Sequence, residues 1–71
     1  MTEVEITCEP VELYKILKFE GLVASGGEAK SVIAAGQVRL NGNVETQKRK
    51  KVVSGDEIEF MQQQLKIKLK K

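Results

Sequence analysis

Four consecutive cations have the residue types and the spacing to bind phosphate. They are Lys48, Arg49, Lys50 and Lys51. Neighbouring positive charges repel one another, so such a run does not stabilise a fold by itself. Each phosphate that a cation neutralises releases counterions, which favours binding to a polyanion. The run therefore indicates a phosphate-binding edge, and a solvated loop is the alternative interpretation.

The segment Ser25-Gly26-Gly27 is a second candidate site for an anion. Two glycines at the start of a helix leave backbone N–H groups uncovered, and the helix dipole favours negative charge there. In the alternative interpretation the serine only caps the helix and the glycines only relieve crowding. The segment lacks the lysine and hydroxyl residue that end a nucleotide phosphate loop, so we do not expect nucleotide binding.

Further cations and a tight turn complete the candidate site. Lys30 is predicted one turn into a helix, away from its apolar stripe, and Arg39 precedes a hairpin turn at Asn41-Gly42. Lys18 is predicted near a helix end, where a cation is favourable for electrostatic reasons alone. The candidate phosphate-binding residues are Lys18, Ser25, Gly26, Gly27, Lys30, Arg39, Asn41, Gly42, Lys48, Arg49, Lys50 and Lys51.

Charge is distributed unevenly along the chain, whose 71 residues are enough for one domain. The formal net charge is +2. Residues 1–35 carry three lysines against six glutamates, whereas residues 36–71 carry nine lysines and arginines against four acids. This asymmetry indicates a polyanion-binding face on a chain of modest total charge.

The composition argues against several classes of protein. There is no histidine and Cys8 is the only cysteine, so we expect no internal disulfide, no zinc site, no cofactor and no catalysis. Cys8 is expected to be half-buried near a strand end. The apolar runs are too short to cross a membrane and the N-terminus does not resemble a signal peptide, so we expect a cytoplasmic protein without a membrane partner.

Apolar periodicity predicts an α+β fold. Alternation around Val4 predicts a short N-terminal strand, and apolar spacing predicts a helix from Pro10 to about Glu20. The Ser25 and Glu28 spacing predicts a capping box at the start of a second helix, which ends near Gly36 and packs on the first. A small antiparallel sheet that includes the hairpin follows.

The last two predicted strands carry the remaining expectations about surface and core. Phe60 alternates with glutamates, so we expect it in the core. Base stacking is therefore not expected to be the main mode of recognition. Leu65, Ile67 and Leu69 alternate with lysines, and we expect this strand to lie at a sheet edge that the lysines protect from aggregation, with a binding surface as the alternative interpretation.

Two stretches of this sequence resemble a known family. Residues 13–42, L-Y-K-I-L-K-F-E-G-L-V-A-S-G-G-E-A-K-S-V-I-A-A-G-Q-V-R-L-N-G, resemble the RNA-binding domain named after small-subunit ribosomal protein S four, the αL motif. Residues 52–60, V-V-S-G-D-E-I-E-F, resemble its closing strand. The resemblance covers nearly the whole chain, and S-G-G-x-A-K with E-T-x-K-R-K is most similar to small stand-alone bacterial members.

The resemblance implies a monomeric module that binds structured RNA, with ribosomal RNA as one candidate, mainly through phosphates. It implies that the second helix and the hairpin share one RNA-facing surface, which would place Lys30, Arg39 and the run 48–51 together with Lys18 nearby. Many members carry an arginine directly after the serine of the second helix, where this chain has Gly26, so that contact is not carried over. The alternative is a protein-interaction adaptor in ribosome assembly or RNA processing.

Overall fold

Two helices and seven strands form the fold in the computed structural model, which describes residues 2–70. The predicted α+β class is confirmed. The elements in chain order are β1 Thr2–Ile6, β2 Val11–Glu12, α1 Leu13–Phe19, α2 Gly26–Ala34, β3 Val38–Leu40, β4 Asn43–Val44, β5 Lys51–Val52, β6 Glu57–Phe60 and β7 Gln63–Leu69.

Five of the strands form one mixed sheet in the order β1-β7-β6-β3-β4, and β2 pairs with β5 in a second, two-stranded sheet. Strands β3, β4, β6 and β7 are antiparallel as predicted, while β1 joins β7 in parallel with Val4 opposite Ile67. The prediction that the last strand lies at the edge is wrong. Strand β7 lies between β1 and β6 because the N-terminal strand adds along its other side.

The hydrophobic core lies between the helices and one face of the five-stranded sheet. Helix α1 contributes Leu13, Ile16 and Leu17, which are fully buried, and α2 packs on it through Ala29 and Ile33. The sheet contributes alternate residues of its strands, which are Val4, Ile6, Val38, Leu40, Ile58, Phe60, Leu65 and Ile67. The predicted core position of Phe60 is confirmed. The intervening residues of these strands point to the opposite face.

That opposite face of the sheet carries paired charges. Lys66 lies opposite Glu3 on β1 and Glu57 on β6, with its Nζ 3.8 Å from the Glu57 carboxylate. Lys68 pairs with Glu3, and the hydrogen bond and charge of this glutamate raise the pKa of the lysine above its ordinary 10.5. The lysines of β7 are therefore compensated by acids on both neighbouring strands.

Local signals place most element boundaries where they were expected. The serine half of the predicted capping box is present, because Ser25 Oγ accepts the Glu28 N–H at 3.1 Å, whereas the Glu28 carboxylate accepts the N–H of Ala24 rather than that of Ser25. Helix α2 is followed by Gly36 at φ +78°, a left-handed conformation that glycine adopts without a steric penalty. The β3–β4 hairpin turns at Asn41 and Gly42 with φ of 53° and 85°, as the sequence predicts for a tight turn.

Two local predictions are wrong. Helix α1 begins at Leu13 rather than Pro10, because residues 11–12 instead form β2 and pair with Lys51 and Val52. The Glu9–Pro10 peptide bond is cis. Cys8 is exposed rather than half-buried, since the strand that precedes it already ends at residue 6.

None of the helices within residues 2–70 has the length and apolarity to span a bilayer.

Candidate nucleic-acid interface

The run of four cations folds into a turn that leads directly into β5. The Lys50 N–H donates to the carbonyl of Gln47 at 3.1 Å, which closes the turn. Lys51 then pairs with Glu12 on β2. We name residues 47–51 the basic turn. All four of its cationic residues are exposed.

The backbone of the basic turn is bonded to the first turn of α1. The Leu13 N–H donates to the Lys50 carbonyl at 2.9 Å, and the Tyr14 N–H donates to the Lys48 carbonyl at 3.2 Å. The first N–H groups of a helix have no acceptor within the helix, so they need acceptors from outside it. The basic turn therefore caps α1, and this capping fixes the backbone from which its cations project into solvent.

One carboxylate orients the cations around the start of α1. The side chain of Glu12 is only 18% exposed, with one oxygen 3.3 Å from Lys15 Nζ and the other 3.9 Å from Arg49 Nε. The Arg49 side chain nevertheless remains 68% exposed. Glu12 thus holds two cations in place without covering them, and it leaves the local charge strongly positive.

Tyr14 connects this region to α2. Lys30 Nζ lies 4.9 Å from the centre of the Tyr14 ring, within the range of a cation–π interaction. The same ring faces Gly26 at the start of α2, where a Cβ atom would lie 3.9 Å from two ring carbons. Since the Tyr14 N–H bonds the basic turn, this one residue links the first turns of α2 to the basic turn.

Side chains near the start of α2 already accept some of the N–H groups that an anion there would bind. The Ser25 hydroxyl accepts the Glu28 N–H, and the Glu28 carboxylate accepts the Ala24 N–H at 3.4 Å. The Ala29 N–H bonds the Ser25 carbonyl. An anion at this helix end would therefore meet the N–H groups of Gly26 and Gly27 beside a carboxylate, which weakens the predicted anion site.

The hairpin tip is held by the side chain of Asn41. Its Nδ2 donates to Asp56 Oδ1 at 3.1 Å, and its Oδ1 accepts the Glu57 N–H at 2.9 Å. Both polar atoms of the amide are thus engaged within the protein. Asn41 and Gly42 hold the tip as the sequence predicts, and their approach to RNA stays a prediction.

The structure brings some of the candidate residues together and separates others. Residues 25–27 and Lys30 adjoin the basic turn through Tyr14, and Lys18 lies one helical turn beyond Tyr14 on the same stripe of α1. Arg39 is separated from this group. It alternates with buried Val38 and Leu40, so it points to the opposite face of the sheet. Its cross-strand partner there is Glu59.

Sequence reasoning missed Tyr14 and Lys15 as members of the candidate interface. Lys15 carries a sequence signal, because it follows Glu12 by three residues and such pairs are neighbours on a helix. Tyr14 carries none, since its partners Lys30 and Lys48 lie far along the chain. Among residues 2–70, no three His, Cys, Asp or Glu side chains cluster as metal ligands would.

Comparison with known sequences defines the class of this protein. The sequence profile of the S4 domain family matches residues 4–68, which is nearly the whole chain. The chain belongs to the S4 domain family, and the suspected resemblance is thereby confirmed.

Individual relatives agree with this assignment. A protein of Escherichia coli (strain K12) named "Putative RNA-binding protein YbcJ" is 52% identical over 50 residues, which are 70% of this chain and 71% of the relative. "Uncharacterized protein YbcJ" of Shigella flexneri matches to the same extent. The solution structure of YbcJ from E. coli has a TM-score of 0.72 and 41% identity, and the match covers 94% of this chain and 86% of that one. That structure is described as revealing an αL motif involved in RNA-binding.

Proposed function

We propose that this protein binds structured RNA, mainly through phosphates, on the face formed by the basic turn and the first turns of α2. The observation that carries the proposal is the pair of backbone hydrogen bonds from Leu13 and Tyr14 to the carbonyls of the basic turn. These bonds distinguish the basic turn from the solvated loop of the alternative interpretation, because they anchor its backbone to α1. These bonds fix the backbone from which four exposed cations project, which reduces the backbone entropy lost when phosphates bind.

The distribution of compensated charge supports this face rather than the sheet. On the outer face of the sheet, Lys66 and Lys68 pair with Glu57 and Glu3, and Arg39 lies opposite Glu59. Among the four cations of the basic turn, only Arg49 has an ion pair within residues 2–70, and its partner Glu12 also contacts Lys15. A polyanion is therefore attracted most strongly to the surface where the positive charge is uncompensated.

Membership of the S4 domain family and the αL motif described for YbcJ support RNA as the polyanion. Lysine is a compact point charge on a flexible stem, so a lysine-rich surface suits phosphates better than base edges. Phosphate contacts position an RNA without reading its sequence. We therefore expect modest sequence preference, with a folded RNA selected by shape. Ribosomal RNA as the target, and the monomeric state, remain predictions from the family resemblance.

Crosslinking in cells, followed by sequencing of the attached RNA, tests the proposal. The wild type is compared with a variant in which Lys48, Arg49, Lys50 and Lys51 are all changed to alanine, which keeps the capping carbonyls. A Lys66→Gln/Lys68→Gln variant removes compensated cations as the control. We expect one RNA class to be enriched by the wild type and the control, and lost from the quadruple variant.

The opposite result has a definite meaning. Equal RNA recovery from the wild type and the quadruple variant would contradict the proposal and favour the protein-interaction adaptor. Circular dichroism of the quadruple variant, with the thermal midpoint of the wild type as reference, shows whether the fold is retained.

A further inference from the structure

Phe19 is an aromatic residue whose side chain lies outside the hydrophobic core. It is the last residue of α1 and is 72% exposed, whereas Phe60 is buried and Tyr14 is half-buried. These three are the only aromatic residues in the sequence. Single exposed apolar residues are common on protein surfaces, so the surroundings of Phe19 decide what it can do.

The α1 residues beside Phe19 include two lysines, and this flank of the helix leads back to the basic turn. Lys15 precedes it by four residues and is its neighbour on the helix surface, and Lys18 is adjacent in sequence. Glu12, three residues before Lys15, contacts both Lys15 and Arg49. One flank of α1 therefore runs from Arg49 through Lys15 to Phe19, a span of about 10 Å along the helix axis.

A strand of RNA matches this arrangement chemically. Its phosphates suit the cations of the flank, and the flat face of an unpaired base stacks on an exposed aromatic ring. A base within a duplex is already stacked on its neighbours and cannot reach the ring. An apolar protein partner fits less well, because Phe19 is flanked by charged residues, which are Lys15 and Lys18 on α1 and Glu20 directly after it.

We propose that Phe19 is a stacking platform for one unpaired nucleobase of an RNA whose backbone follows Lys15 and the basic turn. The proposal rests on the RNA binding proposed above and adds a preference. The protein distinguishes RNA that presents an unpaired base next to a folded element from RNA that is fully paired. The phosphate contacts supply affinity for both kinds of RNA, and Phe19 supplies the difference between them.

A Phe19→Trp variant and a Phe19→Leu variant test this assignment with two RNAs. One RNA is a hairpin with an unpaired loop, and the other is a fully paired duplex with the same number of phosphates. The chain contains no tryptophan, so Phe19→Trp introduces a single indole at the site. We expect the hairpin to quench its fluorescence and the duplex to leave it unchanged. Phe19→Leu should lower hairpin affinity roughly 5- to 150-fold, the range of one lost stacking contact, and leave duplex affinity unchanged.

The outcomes separate this proposal from the one on which it rests. If Phe19→Leu binds both RNAs as the wild type does, or loses both equally, the stacking role is overturned while RNA binding stands. If the wild type binds neither RNA, both proposals fail. Because Phe19 is exposed, Phe19→Leu should keep the thermal midpoint of the wild type, so a loss of hairpin affinity reports on the contact itself.

Discussion

The ammonium group of Lys30 lies 4.9 Å from the centre of the Tyr14 ring, and this contact joins two segments that are distant in sequence. Lys30 belongs to α2, whereas the Tyr14 N–H bonds the Lys48 carbonyl of the basic turn. The ring thereby holds a cation of α2 beside the cations of the basic turn. The proposed interface depends on this relationship, and substitutions at position 14 test it.

Replacing Tyr14 with leucine should weaken RNA binding by about 2- to 5-fold, which corresponds to the roughly 0.5–1 kcal/mol of an exposed cation–π contact. The substitution removes the ring that positions Lys30 but leaves the backbone bond to the basic turn in place. Fluorescence anisotropy with a labelled hairpin RNA provides the measurement. Tyr14→Phe keeps the ring and should bind as the wild type does. Equal affinities for Tyr14→Leu and Tyr14→Phe would show that the ring does not position Lys30 for binding.

Replacing Gly26 with arginine should strengthen RNA binding. A Cβ atom at this position would lie 3.9 Å from the Tyr14 ring, which is ordinary contact, so a longer side chain is accommodated at the start of α2. A new phosphate contact should make the slope of log K against log salt more negative by about 0.7–0.9.

Gly26→Ala serves as the matched control for the arginine variant, because it changes the backbone freedom without adding charge. It should leave the salt slope unchanged. An arginine variant with the slope of the wild type would mean that the start of α2 does not face the phosphates.

The turn between β6 and β7 offers a test of stability. Met61 and Gln62 adopt φ of 51° and 67°, a left-handed conformation that is unfavourable for residues other than glycine and asparagine. Changing them to asparagine and glycine should stabilise the fold by about 1–2 kcal/mol, measured by urea denaturation.

The reciprocal exchange at the other hairpin controls for this effect. Changing Asn41 to methionine and Gly42 to glutamine should destabilise the fold, because it introduces the same strain and removes the bonds from Asn41 to Asp56 and Glu57. If both exchanges left the unfolding free energy unchanged, backbone conformation would not govern the stability of these turns.

Local sequence signals were sufficient for α2, the hairpin and the core positions, but not for the start of α1. Ser25 and Glu28 fix the start of α2, and Asn41-Gly42 fixes a turn, because each depends on residues a few positions apart. The start of α1 and the position of β7 in the sheet depend instead on pairing between segments that are distant in the sequence. Residues 11–12 pair with Lys51 and Val52 instead of extending α1, and β1 covers a strand that lysine alternation had indicated as an edge.

The candidate site likewise depends partly on local sequence signals and partly on contacts between distant segments. The cations were evident from the sequence, but which of them face the same side depends on contacts between distant segments. Strand alternation places Arg39 on the other face of the sheet, while the capping of α1 brings the basic turn beside Tyr14. The alternation of Arg39 with Val38 and Leu40 can be read from the sequence, whereas the spacing of residues along the chain does not specify the capping of α1 by the basic turn.

The salt dependence of RNA affinity tests the central claim most directly. It is measured for the wild type, for Lys48→Ala/Lys50→Ala and for Lys66→Gln/Lys68→Gln, so that the two variants each lose two positive charges. For about five phosphate contacts, the wild-type slope of log K against log salt should be about −3.5 to −4.5. The basic-turn variant should have a shallower slope by about 1.4–1.8, and the sheet variant should keep the wild-type slope. A flat slope for the wild type, or an equal loss of slope in both variants, would contradict phosphate binding by the basic turn.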